Sequence, residues 1–154
     1  MRESEAGGAT EGNRGRTGSA LRFLRAWGPA ILGMAALYLV SSRPGNDTSD
    51  FTLLRFITRK GGHYSAFGIL GLLFYRALVL GEWPRTWSTR LAAIALVGIY
   101  AISDETHQMY VGLRTGTWPD VGIDCFGAIT AMVLGAWRAR RIAYGKEADK
   151  SAVQ

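Results

Sequence analysis

The stretch DETHQMYVGLRTGTWPDVGIDCFG, Asp104 to Gly127, places four carboxylates, a Gln, a His and an Arg between two apolar segments. Ionisable groups at membrane depth are costly and usually face a protein interior or a water-filled cavity, so they are functional-site candidates by default. Whether this stretch lies at membrane depth depends on its flanks. A bilayer core needs about 20 mostly apolar residues per helix. Trp27 to Ser42, Gly61 to Leu80 and Val121 to Trp137 come close to that length with few charges. Leu91 to Ser103 reaches it when its helix continues into the acidic cluster. The pattern predicts an all-α, polytopic membrane protein, a four-transmembrane-helix bundle with spans at about residues 27–42, 61–80, 91–108 and 120–138.

A net charge of +6 in a soluble protein would suggest nucleic acid, because clustered Lys and Arg neutralise phosphates. Position argues against it. Thirteen of the eighteen basic residues lie in the N-terminal tail, the loop from Arg76 to Arg90 or the C-terminal tail, the segments that share one side when both termini are inside. Arg43, Arg55, Arg59, Lys60 and Arg114 fall on the other side. This is the asymmetry of the positive-inside rule, and it predicts a membrane protein with both termini cytoplasmic. Trp27, Trp83, Trp87 and Trp137 fall at the inner boundary and Trp118, Tyr64 and Tyr110 at the outer one, where amphipathic rings settle. The single Cys125 leaves no intrachain disulfide to form.

Residues 1 to about 20 are Gly-rich, polar and without apolar periodicity, which reads as a disordered cytoplasmic tail. A membrane domain over 21–143 and a second cytoplasmic tail over 144–154 complete the division. The first apolar block has the character of a signal anchor or of a cleavable signal peptide, with Val40 and Ser42 as a tolerable cleavage site. We read an uncleaved span, since nothing downstream looks like a secreted soluble domain. Ser42 to Asp50 collects turn residues and reads as a loop. Phe51 to Thr58 suits a short interfacial helix leading into the second span.

With both termini inside, Lys60 and His63 on the second span, Asp104, Glu105 and Gln108 on the third, Arg114 in the loop, and Asp120 and Asp124 on the fourth should lie at similar depth. Residues three and four apart share a helix face. Lys60, His63, Phe67, Gly71 and Phe74 form one such face, and Asp104 pairs with Gln108 on another. Asp120 and Asp124 continue into Gly127, Ala131 and Gly135, a small-xxx-small seam that lets membrane helices approach closely. Ordinary readings stand beside these. Asp120 after Pro119 is normal helix-start chemistry. Lys60 opposes the dipole of a helix starting nearby, which suggests an acidic partner from another helix, yet it also suits snorkelling to head groups. His63 alone is an ordinary hydrogen-bonded core residue, and His107 is expected to see solvent or head groups. Three carboxylates, Gln108 and His63 are possible oxygen and nitrogen ligands, but no metal or other cofactor is predicted, because neither the two-His motif of zinc proteases nor a Cys pair is present. A GxSxG elbow is also missing.

In order, K-x-x-H at Lys60–His63, D-E-x-x-Q at Asp104–Gln108, then Gly112, Arg114, Asp120, Asp124 and Gly127 resemble the pattern of the VanZ-like family of small polytopic bacterial membrane proteins, over about residues 27–138. The family often has an acid before the Lys, where this chain has Arg59, and a Tyr four residues past the His, where it has Phe67. Asp124 stands where many members have Asn. The family's prototype is associated with low-level teicoplanin resistance, so the resemblance implies a cell-envelope role.

Two functions from different classes fit. One is an outer-leaflet polar site for a lipid head group or lipid-linked envelope precursor, with Lys60 and Arg114 on anionic groups, Asp104, Glu105 and His63 as candidate catalytic acid–base or orienting groups, and Gln108, Asp120 and Asp124 as further ligand-binding residues. The other is a non-catalytic membrane accessory protein whose polar residues form an ion network. A transporter is disfavoured because four short spans leave little room for a substrate path. The topology is checked by a tag after Gln154: in intact cells it should be shielded from external protease, and an accessible tag would overturn the shared-depth argument.

Overall fold

The computed structural model describes residues 5–43, 53–111 and 117–152, and the regular secondary structure among them is all helix. α1 spans Glu5–Ser41, α2 Leu53–Leu80, α3 Trp87–Gln108 and α4 Trp118–Ala152. α2 packs against each of the other three, whereas α1 and α4 make no contact among the described residues. Arg76 near the end of α2 meets Arg25 of α1, and Lys60 near its start meets Asp120 of α4. α1 therefore runs against α2, and α4 runs alongside it.

The core is made of stripes with helical spacing: Phe67, Leu70, Phe74 and Leu78 on α2, Ala93, Val97 and Ala101 on α3, and Ala128 and Met132 on α4. Continued by one turn, the α3 stripe reaches Asp104, Glu105 and Gln108, all buried. Continued the other way, the α4 stripe reaches Asp124. The polar groups thus occupy core positions at one end of the bundle.

Small residues set the α2–α4 distance. A Cβ on Gly127 would run into the backbone carbonyl of Tyr64, one on Gly68 would lie 3.2 Å from the Gly127 carbonyl, and one on Gly71 would lie 3.2 Å from the Ala128 Cβ. Gly127 and Ala131 of the expected seam face α2 here, and α2 contributes Gly68 and Gly71 from its own side. Gly135 is exposed at the edge of the contact.

α1 and α2 are tied at the opposite end. Pro29 inside α1 has no N–H to offer the Arg25 carbonyl one turn back. The Arg76 guanidinium donates to that carbonyl at 3.1 Å and to the Ala26 carbonyl at 3.4 Å. This is how a helix in an apolar medium re-satisfies a backbone group freed by proline.

Three helical segments are long and apolar enough to cross a membrane: Gly18–Ser41, Lys60–Leu80 and Trp118–Lys146. α3 has 22 residues, enough for a crossing at 1.5 Å per residue, but its acidic end lowers its apolar content. Leu32, Leu39, Ile69, Ile99, Phe126 and Leu134 are exposed on the outside of all four helices. So large an apolar exterior belongs in lipid.

The helices run longer than the spans read from the sequence. The N-terminal tail, expected to be disordered, is helical from Glu5, and α4 continues through the second tail to Ala152. Once a span is formed, each added residue fixes one hydrogen bond without a new nucleation cost, so helix propagates past the apolar block. From Leu53 the expected interfacial segment is one continuous helix with the second span.

Gly127→Leu should displace α4 from Tyr64 and cost at least the upper end of the about 1–3 kcal/mol typical of overpacking. Thermal unfolding in detergent checks this, and an unchanged midpoint would contradict the close approach.

Candidate functional site

Four helices bring side chains to one end of the bundle. Lys60 and Asp120 form an ion pair at its rim, with side chains 28% and 16% exposed. The sequence placed Lys60 at a helix start, but α2 begins at Leu53, so Lys60 sits about two turns in, clear of the helix's positive end. Asp120 remains in the first turn of α4 while supplying the acidic partner from another helix.

One turn deeper, His63 Nδ1 lies 3.6 Å from Asp124 Oδ1. That is beyond hydrogen-bond length, and neither carboxylate oxygen of Asp124 has a hydrogen-bond partner among the described residues, although the residue is fully buried. Glu105 joins from α3. Its Oε2 accepts the Thr117 backbone N–H at 2.9 Å, and one donor atom each from His63, Glu105 and Asp124 all lie within 4.8 Å of one another. Lys60, Gln108 and Asp120 complete the walls of a cavity of about 10 Å³ here, room for one atom-sized guest.

Asp104 belongs to a neighbouring network. Its Oδ2 accepts from Ser41 Oγ at 2.9 Å and from Gln108 Nε2 at 2.8 Å. The expected pairing of Asp104 and Gln108 on one helix face is present, while Ser41, the buried end of α1, was read only as part of the first span, with no partner assigned. The three acid–base candidates are thus divided: His63 and Glu105 with Asp124, and Asp104 with Ser41 and Gln108. Gln108 touches both groups. Arg114 and Gly112 lie outside the described residues.

His107, expected to see solvent or head groups, docks on α1 instead. Its Nε2 lies 3.0 Å from Ser42 Oγ and its ring stacks on Tyr38 at 4.5 Å. The signal for this was weak: two adjacent serines ending an apolar span opposite a cluster able to bond them. Phe67, where the family often carries Tyr, is fully buried and stacks on His63 at a centroid distance of 6.0 Å.

Beside the cluster, an apolar groove of about 480 Å³ runs between α1 and α2. Gly33, Ala36, Leu37, Leu70 and Leu73 line its length, and Ser41 and His63 lie at its polar end.

Ser41→Ala should lower stability by about 1–3 kcal/mol, the usual cost of depriving a buried acceptor of a donor. Gln108→Ala should cost a similar amount. Unfolding in detergent measures both, and a neutral effect of both would show that Asp104 does not depend on this network.

A family model described as VanZ/LLP1 matches residues 19–139, from before the first apolar block to just past the last. No curated protein matches the chain, and no solved structure does. The matched region holds every buried polar group of the site, and it covers well over half of the chain, which therefore belongs to the VanZ/LLP1 family.

Proposed function

We propose that this VanZ-family protein spans the bacterial plasma membrane four times with both termini cytoplasmic, and that its polar end, at the outer leaflet, binds the head group of a membrane lipid or lipid-linked cell-envelope precursor. One observation carries the reading. The apolar groove between α1 and α2 leads to Ser41 and His63, so a hydrocarbon chain lying in it would bring its head group to the polar cluster. In this reading α3 also crosses the bilayer, as the third span, with Leu91, Ile99 and Ile102 facing lipid. Lys60 and Arg114 meet the anionic part of the head group, and Asp104, Glu105 and His63 orient it or exchange protons with it. Gln108, Asp120 and Asp124 hold those groups in place. Occupancy of the site then influences susceptibility to glycopeptides such as teicoplanin, as the family resemblance implies.

The Lys60–Asp120 pair and the bonding of Asp104 to Ser41 and Gln108 favour a second reading, a non-catalytic accessory protein held together by an ion network. A buried acceptor such as Asp104 is costly to leave without its donors whatever its function. Two measurements separate the readings. Ala36→Trp fills the groove from an exposed position, so the lipid reading expects a folded protein that loses its copurifying lipid by mass spectrometry. Asp104→Asn, Glu105→Gln and His63→Ala should each change teicoplanin susceptibility of an expressing strain at unchanged membrane abundance. If every loss of phenotype follows loss of folded protein, the accessory reading stands and the lipid site does not.

A further inference from the structure

The fully buried carboxylate of Asp124 is the least explained group in the bundle. Taking a carboxylate out of water is costly unless it is paired and hydrogen-bonded, and this one has no hydrogen-bond partner among the described residues. A second acid, Glu105, lies beside it, so two carboxylates and one imidazole share a buried space. We propose that His63, Glu105 and Asp124 bind a single transition-metal dication, of the Zn²⁺ or Mn²⁺ class.

The geometry is close to that of a site. Bonds of about 2.0–2.2 Å to nitrogen and oxygen place donors at most about 4.4 Å apart across the ion. The three donor atoms already lie within 4.8 Å of one another, so small side-chain rotations close the shell. The donors come from three helices, and the bundle itself holds them together. Glu105 is oriented through Oε2 by the Thr117 N–H, as outer-shell bonds fix metal-binding carboxylates. The cavity of about 10 Å³ between them has room for a single ion. One nitrogen and two carboxylates select against Ca²⁺ and Mg²⁺, which favour all-oxygen shells, and a donor set without a thiolate argues against soft ions. Three protein ligands leave a coordination position for water or for an anionic oxygen of a bound molecule.

The inference goes beyond the lipid reading and does not rest on it, because metal is counted on delipidated protein. The full chain, purified in detergent through a tag without histidine, is stripped with chelator, reconstituted with Zn²⁺ or Mn²⁺, desalted and analysed for bound metal. One ion per chain is expected. Loss of an outer-shell group typically costs about 10- to 100-fold in metal affinity, so His63→Ala, Glu105→Gln and Asp124→Asn should each weaken binding by at least about 100-fold. Because substitutions in a buried cluster can prevent folding, the ligand set is also read with the cluster intact. The chain has two histidines, so in His107→Gln any histidine nitrogen coupled to bound Mn²⁺ by pulsed electron paramagnetic resonance belongs to His63. Stoichiometric metal with that coupling supports the site. Background metal in the folded wild type, no nitrogen coupling in His107→Gln, or undiminished binding in all three folded variants would overturn it.

Discussion

The passage of α4 across α2 at the Tyr64 carbonyl, possible because Gly127 has no side chain, is the constraint on which the polar end depends. Asp124 precedes Gly127 by one turn and His63 neighbours Tyr64, so the backbone contact fixes how far the acid stands from the imidazole. A further turn outward brings Asp120 to Lys60. In the other direction the same crossing continues through Gly68 against Ala131 and Gly71 against Ala128. In lipid there is little hydrophobic drive to bring helices together, so close packing between small residues has to supply the association. That packing is what can hold charged side chains in register at the end of the bundle.

The other helices close the site from the sides. α3 carries its acids on the stripe that is apolar elsewhere along its length, so burial of Ala93, Val97 and Ala101 carries Asp104, Glu105 and Gln108 into the interior. α1 supplies the partners those groups need: Ser41 for Asp104, Ser42 and Tyr38 for His107, and the Met34 carbonyl for the Tyr100 hydroxyl at 2.6 Å. Its other end is bound to α2 through Arg76 and the carbonyls around Pro29. The groove lies between these two attachments, where α1 and α2 are held together but small residues such as Gly33, Ala36 and Ala66 leave space.

Much of this was legible in the residues. Helical spacing placed Asp104 with Gln108, pointed Asp124 inward with Gly127, and put Phe67 and Phe74 on the buried face of α2. Counting charges and spans brought Lys60, His63 and the acids to one end before any coordinates. The sequence did not reveal partners that depend on side-chain reach between helices. Ser41 looked like one more residue at the end of the first span, and His107 looked solvent-facing, because a short hydroxyl has no periodicity of its own. The close approach of His63, Glu105 and Asp124 has no local motif to announce it, because the three come from three separate helices. Helix ends were also underestimated, since hydropathy reports where a helix is apolar and not where its hydrogen bonding stops.

The central claim is that α2 and α4 run side by side with their polar starts together. Short-range chemical cross-linking in native membranes tests it most directly, using Lys60→Cys with Asp120→Cys in a Cys125→Ser background and a short bismaleimide. An intramolecular link between positions 60 and 120, with none between position 60 and a cysteine introduced by Trp137→Cys about five turns further along α4, is the expected result. A link to position 137, or none to position 120 in folded protein, would contradict it.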